Sequence, residues 1–429
     1  MDRRRFLTSA ALSAAGYQRV LGANDRVRVG LIGCGGRGRY VGKFMAEAPN
    51  TQFVATADVY LPNAHAAREW AGGDAKAFQD FRHLLELRDV DAVLIATPDH
   101  WHAIPTVLAC QAGKDVYVEK PLAHNIHEGR AMVEAARRHN RIVVIGTQQR
   151  SATHFPEVAR IIRSGQLGEV RFVRIWNYVN MAPNGVSAVP DSAPPEGLDW
   201  DFYLGPAPKV PYNRKRHLAT YRWFSDYSGG YITDYGTHRF DTMHQIMGVD
   251  APLSVSATGG RFSVKDAGDV PDVMQVTYDY PGFVLSYEAI RMSGHGVGGR
   301  TLGMRYYNAK GELDRPHGHA YYGTNGALFC DRIGYEIYPD NDKIIRKTHN
   351  TTDATALHAR HFIDCVRSRQ RSPADVEVGH RSTIVAHLGN IAYRTGKKLK
   401  WDRAREDFVN APEAASLLRR KAREPWTLI

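Results

Sequence analysis

The sequence predicts an α/β chain in two parts. A doubly wound parallel sheet is expected within residues 24–147, and an α/β region with an open, mostly antiparallel sheet within residues 148–429. Short apolar runs alternate with helical periodicity as far as residue 147, and a glycine-rich turn follows the first run. Alternating β-type segments dominate the later part, and 429 residues favour two domains.

The first apolar run, Val27 to Ile32, ends in a turn with G-x-G-x-x-G spacing. Gly33 permits a tight turn, Gly35 lets a pyrophosphate approach the backbone, and Gly38 lets the next helix pack on the strand. The phosphates then lie against the free N–H groups at the start of that helix. The turn also adds Gly36 and Arg37 to the predicted cofactor contacts. The pattern predicts a dinucleotide-binding Rossmann domain.

The residue that ends the second strand indicates which dinucleotide is bound. Residues 52–57 form a second β-type run, and Asp58 follows it, twenty residues beyond Gly38. A carboxylate there binds the ribose hydroxyls of NAD and repels the additional phosphate of NADP. Arg37 and Arg39 lie in the glycine turn and could pair with that phosphate. NAD is therefore the predicted cofactor, and NADP is the less favoured alternative.

The remaining elements of the first domain follow from periodicity and capping residues. Helices are predicted over 63–71, 104–112 and 125–139, and strands over 92–96, 115–118 and 141–145, in a domain of six strands. Asn125 is a predicted N-cap, and Glu128 is placed to close a capping box.

The second part changes in character from about residue 151. A helix is predicted over 154–164 and β segments over 170–179, 254–258, 274–280 and 283–290. This sheet is expected to be polar on one face and to close over the nicotinamide. The Pro-, Gly- and Tyr-rich stretch 182–223 is predicted to be a wrapping loop. Residues 406–425 are predicted to be a surface helix with a terminal arm ending at Trp426.

Composition excludes several classes of protein. The chain is 43% hydrophobic and 24% charged, and its net charge of +11 is scattered, so nucleic-acid binding is not favoured. The four cysteines show no metal-ligand spacing, so no metal site is predicted. No apolar run reaches membrane-spanning length.

The N-terminus has the layout of a twin-arginine export signal. Arg3, Arg4 and Arg5 precede a short, weakly apolar, alanine-rich stretch. Residues 1–23 are therefore expected to be a targeting segment of a periplasmic or otherwise exported protein. The alternative is a basic tail without a targeting role, in a cytoplasmic protein.

Three further motifs carry a family resemblance. Val118-Glu119-Lys120-Pro121 ends the fifth strand, residues 97–102 read Thr-Pro-Asp-His-Trp-His, and residues 229–241 read Gly-Gly-Tyr-Ile-Thr-Asp-Tyr-Gly-Thr-His-Arg-Phe-Asp. With the glycine turn, the chain resembles the Gfo/Idh/MocA family, named for glucose–fructose oxidoreductase and inositol dehydrogenase. The resemblance implies NAD(P)-linked chemistry on sugars or cyclic polyols. A homodimer or homotetramer formed through the C-terminal sheet is also expected.

By this resemblance, Lys120, Asp234 and His238 are the catalytic trio. Oxidising a secondary alcohol requires a base for the hydroxyl proton, and such a cluster can relay that proton and stabilise the alkoxide. Lys120 ends a parallel strand, where α/β sheets bind ligands. Asp234 and His238 are four residues apart and share one face of a helix. Taken singly, the three also fit a surface lysine, a helix cap and a core histidine.

Two further sets of contacts are predicted. The residues expected on the cofactor side are Thr97, Pro98, His102, Glu119 and Lys120. The residues expected to contact a sugar, through aromatic planes and polar tips, are Tyr178, Asn180, Arg222, Trp223 and His295.

The leading functional hypothesis is an NAD-dependent oxidoreductase that acts on a secondary hydroxyl of a sugar or polyol. Because free NAD is scarce outside the cytoplasm, export implies a tightly bound cofactor that is reduced and reoxidised in place. One alternative is an NAD-dependent glycoside hydrolase of the α-N-acetylgalactosaminidase type, which works by transient oxidation at C3 and elimination. By resemblance, Asp234 favours the dehydrogenase. The second alternative is a non-catalytic protein that binds NAD and sugar.

Overall fold

The computed structural model describes residues 26–297, 315–340, 346–349 and 353–428. The predicted export segment, residues 1–23, lies outside this part of the chain. Within the described ranges, no helix combines the length and the apolar character needed to cross a membrane.

The N-terminal domain is a six-stranded parallel sheet with helices between its strands. Its strands are β1 (Val27–Ile32), β2 (Thr51–Ala57), β3 (Lys76–Phe78), β4 (Ala92–Ile95), β5 (Asp115–Val118) and β6 (Val143–Ile145). Its helices are α1 (Gly36–Ala46), α2 (Leu61–Trp70), α3 (Phe81–Leu85), α4 (Ala103–Gln111) and α5 (Ile126–Arg138). The strand order β3-β2-β1-β4-β5-β6 reverses between β1 and β4, where dinucleotides bind in such sheets. The predicted Rossmann domain is confirmed.

Two local predictions for this domain needed correction. The third strand, β3, was not located from the sequence because it has three residues and an exposed lysine, and so no apolar run. Asn125 does cap α5, since its side chain accepts a hydrogen bond from the Glu128 amide at 2.9 Å. The predicted capping box is wrong, because the Glu128 carboxylate instead accepts a hydrogen bond from Arg420 Nε at 2.8 Å.

The C-terminal region is built on a large mixed sheet, antiparallel except between β7 and β10. Its strands are β7 (Phe172–Asn180), β8 (Ser254–Gly260), β9 (Val273–Tyr280), β10 (Phe283–Ile290), β11 (Met292–Ser293), β12 (His317–Gly323), β13 (Gly326–Cys330), β14 (Gly334–Pro339), β15 (Arg346–His349), β16 (Leu399–Asp402) and β17 (Asp407–Phe408). Its helices are α6 (His154–Arg163), α7 (Trp200–Leu204), α8 (Thr237–Met247), α9 (Ala354–Ser368), α10 (Val376–Thr395) and α11 (Pro412–Ala415).

One face of this sheet packs against helices, and these helices position the site. Phe155 of α6, Phe240 of α8 and Leu388 of α10 share an apolar core with Ile175 of β7 and Leu285 of β10. Helix α9 belongs instead to the core of the N-terminal domain, through Phe362, Ile363 and Val366. The second region therefore returns to the nucleotide domain and joins the two parts through a shared core.

The C-terminal end does not form the single surface helix predicted over 406–425. It consists of β17, α11 and a 3₁₀ turn at Ser416–Leu418, and the residues after this turn form no regular element as far as residue 428. One helix cannot run from residue 406 through this stretch, because Pro412 lacks a backbone N–H and lies at a helix start.

Candidate functional site

The glycine turn has the shape that a dinucleotide requires. Gly33 has φ = +86°, and a Cβ there would lie 2.7 Å from the Ala96 carbonyl carbon. A Cβ on Gly38 would lie 2.3 Å from the Gly33 carbonyl oxygen, so any side chain would separate α1 from β1. Above Gly35 and Gly36, in contrast, there is open space for 4 Å. The turn therefore leaves room for phosphates beside the first amides of α1, which fits a dinucleotide pyrophosphate.

Asp58 lies directly after β2 and is already tied to this turn. Its Oδ2 accepts a hydrogen bond from the Cys34 amide at 2.8 Å, and its Oδ1 accepts one from the Tyr60 amide at 2.9 Å. Burial raises the pKa of this carboxyl group. Arg39 lines the cavity that begins at this turn, and it is close enough for its positive charge to act on the Asp58 carboxylate. Asp58 therefore holds the glycine turn and places its carboxylate at the end of β2.

A cavity of about 610 Å³ extends from this turn to the end of β5. Ten of the predicted site residues line it: Gly33, Gly35, Gly36, Arg37, Asp58, Thr97, Pro98, Glu119, Lys120 and Arg222. Arg37 closes one wall, since its Nε donates to Glu119 Oε1 at 2.8 Å. A second, larger cleft of about 980 Å³ lies among α6, α8 and α10, and none of the predicted site residues lines it.

The cavity is covered by the wrapping segment and not, as predicted, by the C-terminal sheet. Phe202, Tyr203, His217, Leu218 and Tyr221 supply its outer wall. Leu218 has a left-handed backbone (φ = 52°), which is strained for a residue with a branched side chain, and the residue is 56% exposed. The segment is attached to the N-terminal domain through Trp101, whose Nε1 donates to the Tyr203 carbonyl at 2.8 Å.

The C-terminal arm supports this outer wall from behind. The Trp426 ring stacks on the Phe202 ring, with 5.0 Å between ring centres, and packs edge-on with the Trp101 ring, with 4.9 Å between ring centres. Phe202 and Trp101 both line the cavity. Arg423 Nε donates to the Gly205 carbonyl at 2.9 Å, and Arg420 Nη2 donates to the His100 carbonyl at 3.0 Å. The arm therefore connects the wrapping segment to the nucleotide domain.

Replacing Trp426 with alanine should weaken retention of the cofactor, because the two cavity rings lose their support. Loss of a half-buried indole should also destabilise the fold by about 1–3 kcal/mol. Thermal melting and the rate of NAD(H) loss on gel filtration measure the two effects. Lys421→Ala, an exposed change on the same arm, is the matched control. Unchanged cofactor retention in Trp426→Ala would show that the arm does not support the cavity.

Lys120 extends from the end of β5 toward the second region. Its Nζ donates to the Asp234 backbone carbonyl at 3.0 Å and forms a short ion pair with the Asp234 carboxylate. Asp234 lies in a π-helical turn, Ile232–Gly236, that leads into α8. Gly230, with φ = +76°, allows the chain to enter this turn. The structure therefore brings together Lys120 and Asp234, which lie 114 positions apart in the sequence.

Asp234 has a second cationic partner, Arg222 from the wrapping segment, whose Nε lies 3.1 Å from Oδ2. Burial alone would raise the pKa of Asp234, but Lys120 and Arg222 outweigh burial and lower it to about 2. Arg222 was predicted to contact sugar. The structure shows that it lines the cavity and also holds the carboxylate that anchors Lys120.

His238 lies in the first turn of α8 and is buried. Burial, together with the charges of Lys120 and Arg332, lowers the pKa of His238 well below its ordinary value. The ring is therefore neutral at physiological pH, and its Nδ1 is left without a protein hydrogen bond among the described residues.

His102 and Trp223 lie away from the cavity lining. Both ring nitrogens of His102 are within hydrogen-bond distance of backbone carbonyls, Pro121 at 2.7 Å and Thr97 at 2.9 Å, so the ring braces the two strand ends from behind. Trp223 is buried in a separate apolar cluster, with the Arg291 guanidinium 3.9 Å from its ring centre.

The remaining predicted sugar contacts also lie elsewhere. Tyr178 lies beside Trp176 on the face of β7 that the helices do not cover, and its hydroxyl donates a hydrogen bond to Glu288. Asn180 and His295 are exposed, and neither lines the cavity. Because neighbouring strand residues point to opposite faces, Tyr178 and Asn180 share the face of β7 that the helices do not cover.

The helix-covered face of β7 carries a buried polar residue, Asn177. Asn177 is fully buried and its Nδ2 lies 3.3 Å from the Tyr287 hydroxyl. That hydroxyl in turn lies 3.4 Å from the Tyr231 carbonyl, one residue before the π-helical turn. This chain of polar contacts links the sheet to the turn that carries Asp234.

Replacing Asp58 with asparagine should reduce discrimination against NADP, because the negative charge beside the ribose is removed. Asp58→Ala should have the same effect and also lower NAD affinity by roughly ten- to a hundredfold, since hydrogen bonds to a charged group are lost. Titration of both variants with NAD and NADP measures these effects. An unchanged ratio of the two affinities contradicts the assignment of Asp58.

Comparison with known proteins agrees with this geometry. A family model described as "Oxidoreductase family, NAD-binding Rossmann fold" matches residues 27–147. A second, described as "Oxidoreductase family, C-terminal alpha/beta domain", matches residues 152–285 and 311–428.

Curated relatives and solved structures are similar at low identity. Inositol 2-dehydrogenase of Rhizobium meliloti is 27% identical over 251 residues, which are 58% of this chain and 64% of that protein, slightly under two thirds of its length. The NAD⁺-dependent scyllo-inositol 2-dehydrogenase of Bacillus subtilis is 25% identical over 88% of this chain and 97% of its own. A levoglucosan dehydrogenase, solved with NADH and levoglucosan, superposes with a TM-score of 0.64 at 19% identity. The superposition covers 88% of this chain and 99% of the levoglucosan dehydrogenase chain. At this identity, the likeness shows the fold alone.

Proposed function

Because the chain belongs to the Gfo/Idh/MocA family of NAD-binding oxidoreductases, we propose that it oxidises a secondary hydroxyl of a sugar or cyclic polyol. The observation that carries the proposal is the contact of Lys120 with Asp234 at the end of the dinucleotide cavity, with His238 in the same cluster. These three groups meet the needs of an alcohol oxidation: a cation, an anion that holds it, and a neutral base.

The chemistry divides between the residues and the cofactor. NAD⁺ held by the glycine turn and Asp58 would supply the hydride acceptor for the carbinol carbon, so that the alcohol would become a ketone. The neutral His238 accepts the hydroxyl proton. The Lys120 ammonium lies beside the oxygen and stabilises negative charge that develops on it. Asp234 and Arg222 hold Lys120 in place, so no group needs to move during the step.

We infer that NAD rather than NADP is the cofactor and that it stays bound between turnovers. Asp58 supports the first inference through its charge at the ribose. The covering segment and the C-terminal arm support the second, because a cofactor that enters this cavity is enclosed on both sides.

The experiment begins with the purified protein. Denaturation should release NAD(H) in near-equal amount to the protein, and a panel of sugars and cyclic polyols should include one that reduces the bound cofactor. Aryl glycosides are tested in parallel, and release of the aglycone without net reduction would support the glycosidase alternative. A protein that releases NAD(H) but changes no substrate in either panel would be the non-catalytic binding protein.

Two further properties are proposed. The twin-arginine motif directs export, so replacing Arg4 and Arg5 with lysine should leave folded protein in the cytoplasm. Normal export of this variant contradicts the proposal.

The open face of the sheet, where Phe172 and Val284 are 38% and 37% exposed, pairs with a second copy of the chain. Light scattering of Phe172→Glu should then show smaller assemblies than those of the unchanged protein.

A further inference from the structure

The residue next to His238 is a buried cation without a carboxylate partner. Arg239 is fully buried, and its Nη2 lies 2.8 Å from Nδ1 of His317. Its Nε and Nη1 have no hydrogen-bond partner among the described residues, and no described carboxylate lies within 4 Å of it. A buried guanidinium normally takes an anionic partner, because burying a lone charge is costly.

A second cation, Arg332, is close enough for its charge to act on both Asp234 and His238. Arg332 lies in the turn between β13 and β14 and is exposed. Its guanidinium carbon is 6.0 Å from the ring centre of Tyr235, the residue after Asp234. The neighbouring carboxylate, that of Asp331, pairs instead with Arg315, whose Nε lies 3.4 Å from Asp331 Oδ2. Arg332 also forms no ion pair with any described carboxylate.

The charges around His238 do not balance. Among the cations whose charge acts on His238, Lys120 is paired with Asp234 and Arg37 with Glu119, whereas Arg239 and Arg332 pair with no described carboxylate. Asp234 is shared by Lys120 and Arg222, and Asp99 is buried and accepts hydrogen bonds from the Tyr221 and Ser228 hydroxyls. The oxidised nicotinamide ring would add another positive charge. The excess favours a ligand that is itself negative.

We propose that the substrate carries an anionic group, a carboxylate or a phosphate, and that Arg332 binds this group beside the reacting hydroxyl. The proposal rests on the proposed oxidation of a sugar or polyol. Arg332 is exposed and makes the contact, and its planar guanidinium matches two oxygens of either anion. Arg239 is closed off from solvent and acts through its charge alone.

The test compares matched neutral and anionic sugars on the protein with its cofactor bound. The probes are glucose, galactose and mannose, the three corresponding uronates, and glucose 6-phosphate. Binding is measured by calorimetry, and reduction of the cofactor by its fluorescence. Arg332→Met removes the charge, Arg332→Lys retains it, and Arg160→Met removes an exposed arginine of α6 as the matched control.

The unchanged protein should prefer at least one anionic probe over its neutral partner by roughly ten- to a hundredfold. Arg332→Met should abolish this preference, whereas Arg332→Lys should retain part of it and Arg160→Met all of it. A preference for the uronates alone, or for the phosphate alone, identifies which anion is recognised. Equal binding of neutral and anionic probes, or a preference unaffected by Arg332→Met, overturns the inference. Arg332-dependent binding without hydride transfer to or from any probe supports the inference and contradicts the proposed oxidation.

Discussion

Replacing Lys120 with alanine should lower the rate of substrate oxidation by about a hundred- to ten-thousand-fold, the usual cost of removing a positioned acid–base or charged group. The loss follows from the position of Nζ, which is held against both the carbonyl and the carboxylate of Asp234 at the end of the cavity. Cofactor binding should persist, because the glycine turn and Asp58 lie at the other end of the cavity. Single-turnover reduction of the bound cofactor measures the rate.

Two controls separate this effect from damage to the fold. Lys43→Ala removes an exposed lysine from α1 and should leave turnover unchanged. In Lys120→Ala, Asp234 keeps Arg222 as a partner, so its charge is not left unpaired and the variant should remain folded. A folded Lys120→Ala protein that oxidises substrate at the unchanged rate would refute the mechanism and favour the non-catalytic binding protein.

The parts of the site that could be predicted from sequence share one physical origin. The carboxyl ends of parallel strands meet at one edge of a sheet, so Gly33, Asp58, Thr97 and Lys120 were placed together by their positions after β1, β2, β4 and β5. The i, i+4 spacing of Asp234 and His238 likewise placed them on one short stretch, although the first lies in a π-helical turn.

The parts that could not be predicted depend on contacts without periodicity. Leu218 and Tyr221 come from a wrapping segment whose path is set by tertiary contacts such as the hydrogen bond between Trp101 and Tyr203. Trp426 acts through ring packing more than 200 residues from its partner Phe202. The position of Tyr178 outside the cavity has a different cause. The alternation along β7 gives two faces, and only tertiary packing decides which one the helices cover.

Replacing His238 with alanine should also lower turnover by about a hundred- to ten-thousand-fold, because the base for the hydroxyl proton is lost. The pH profile of the unchanged protein gives an independent test of the same role. Burial and the charges of Lys120 and Arg332 lower the pKa of His238 well below its ordinary value of 6.5. The neutral, proton-accepting form therefore persists as the pH falls through 6.5.

For a base with a lowered pKa, kcat/KM should stay level as the pH falls from 8 through 6.5 and decline only at more acidic values. In His238→Ala this acidic decline should disappear along with most of the activity, because no imidazole remains to be protonated. His139→Ala, a change on the surface of the nucleotide domain, is the matched histidine control and should keep the full profile. An acidic decline of kcat/KM that persists unchanged in His238→Ala would show that another group is the titrating base and that His238 does not accept the proton.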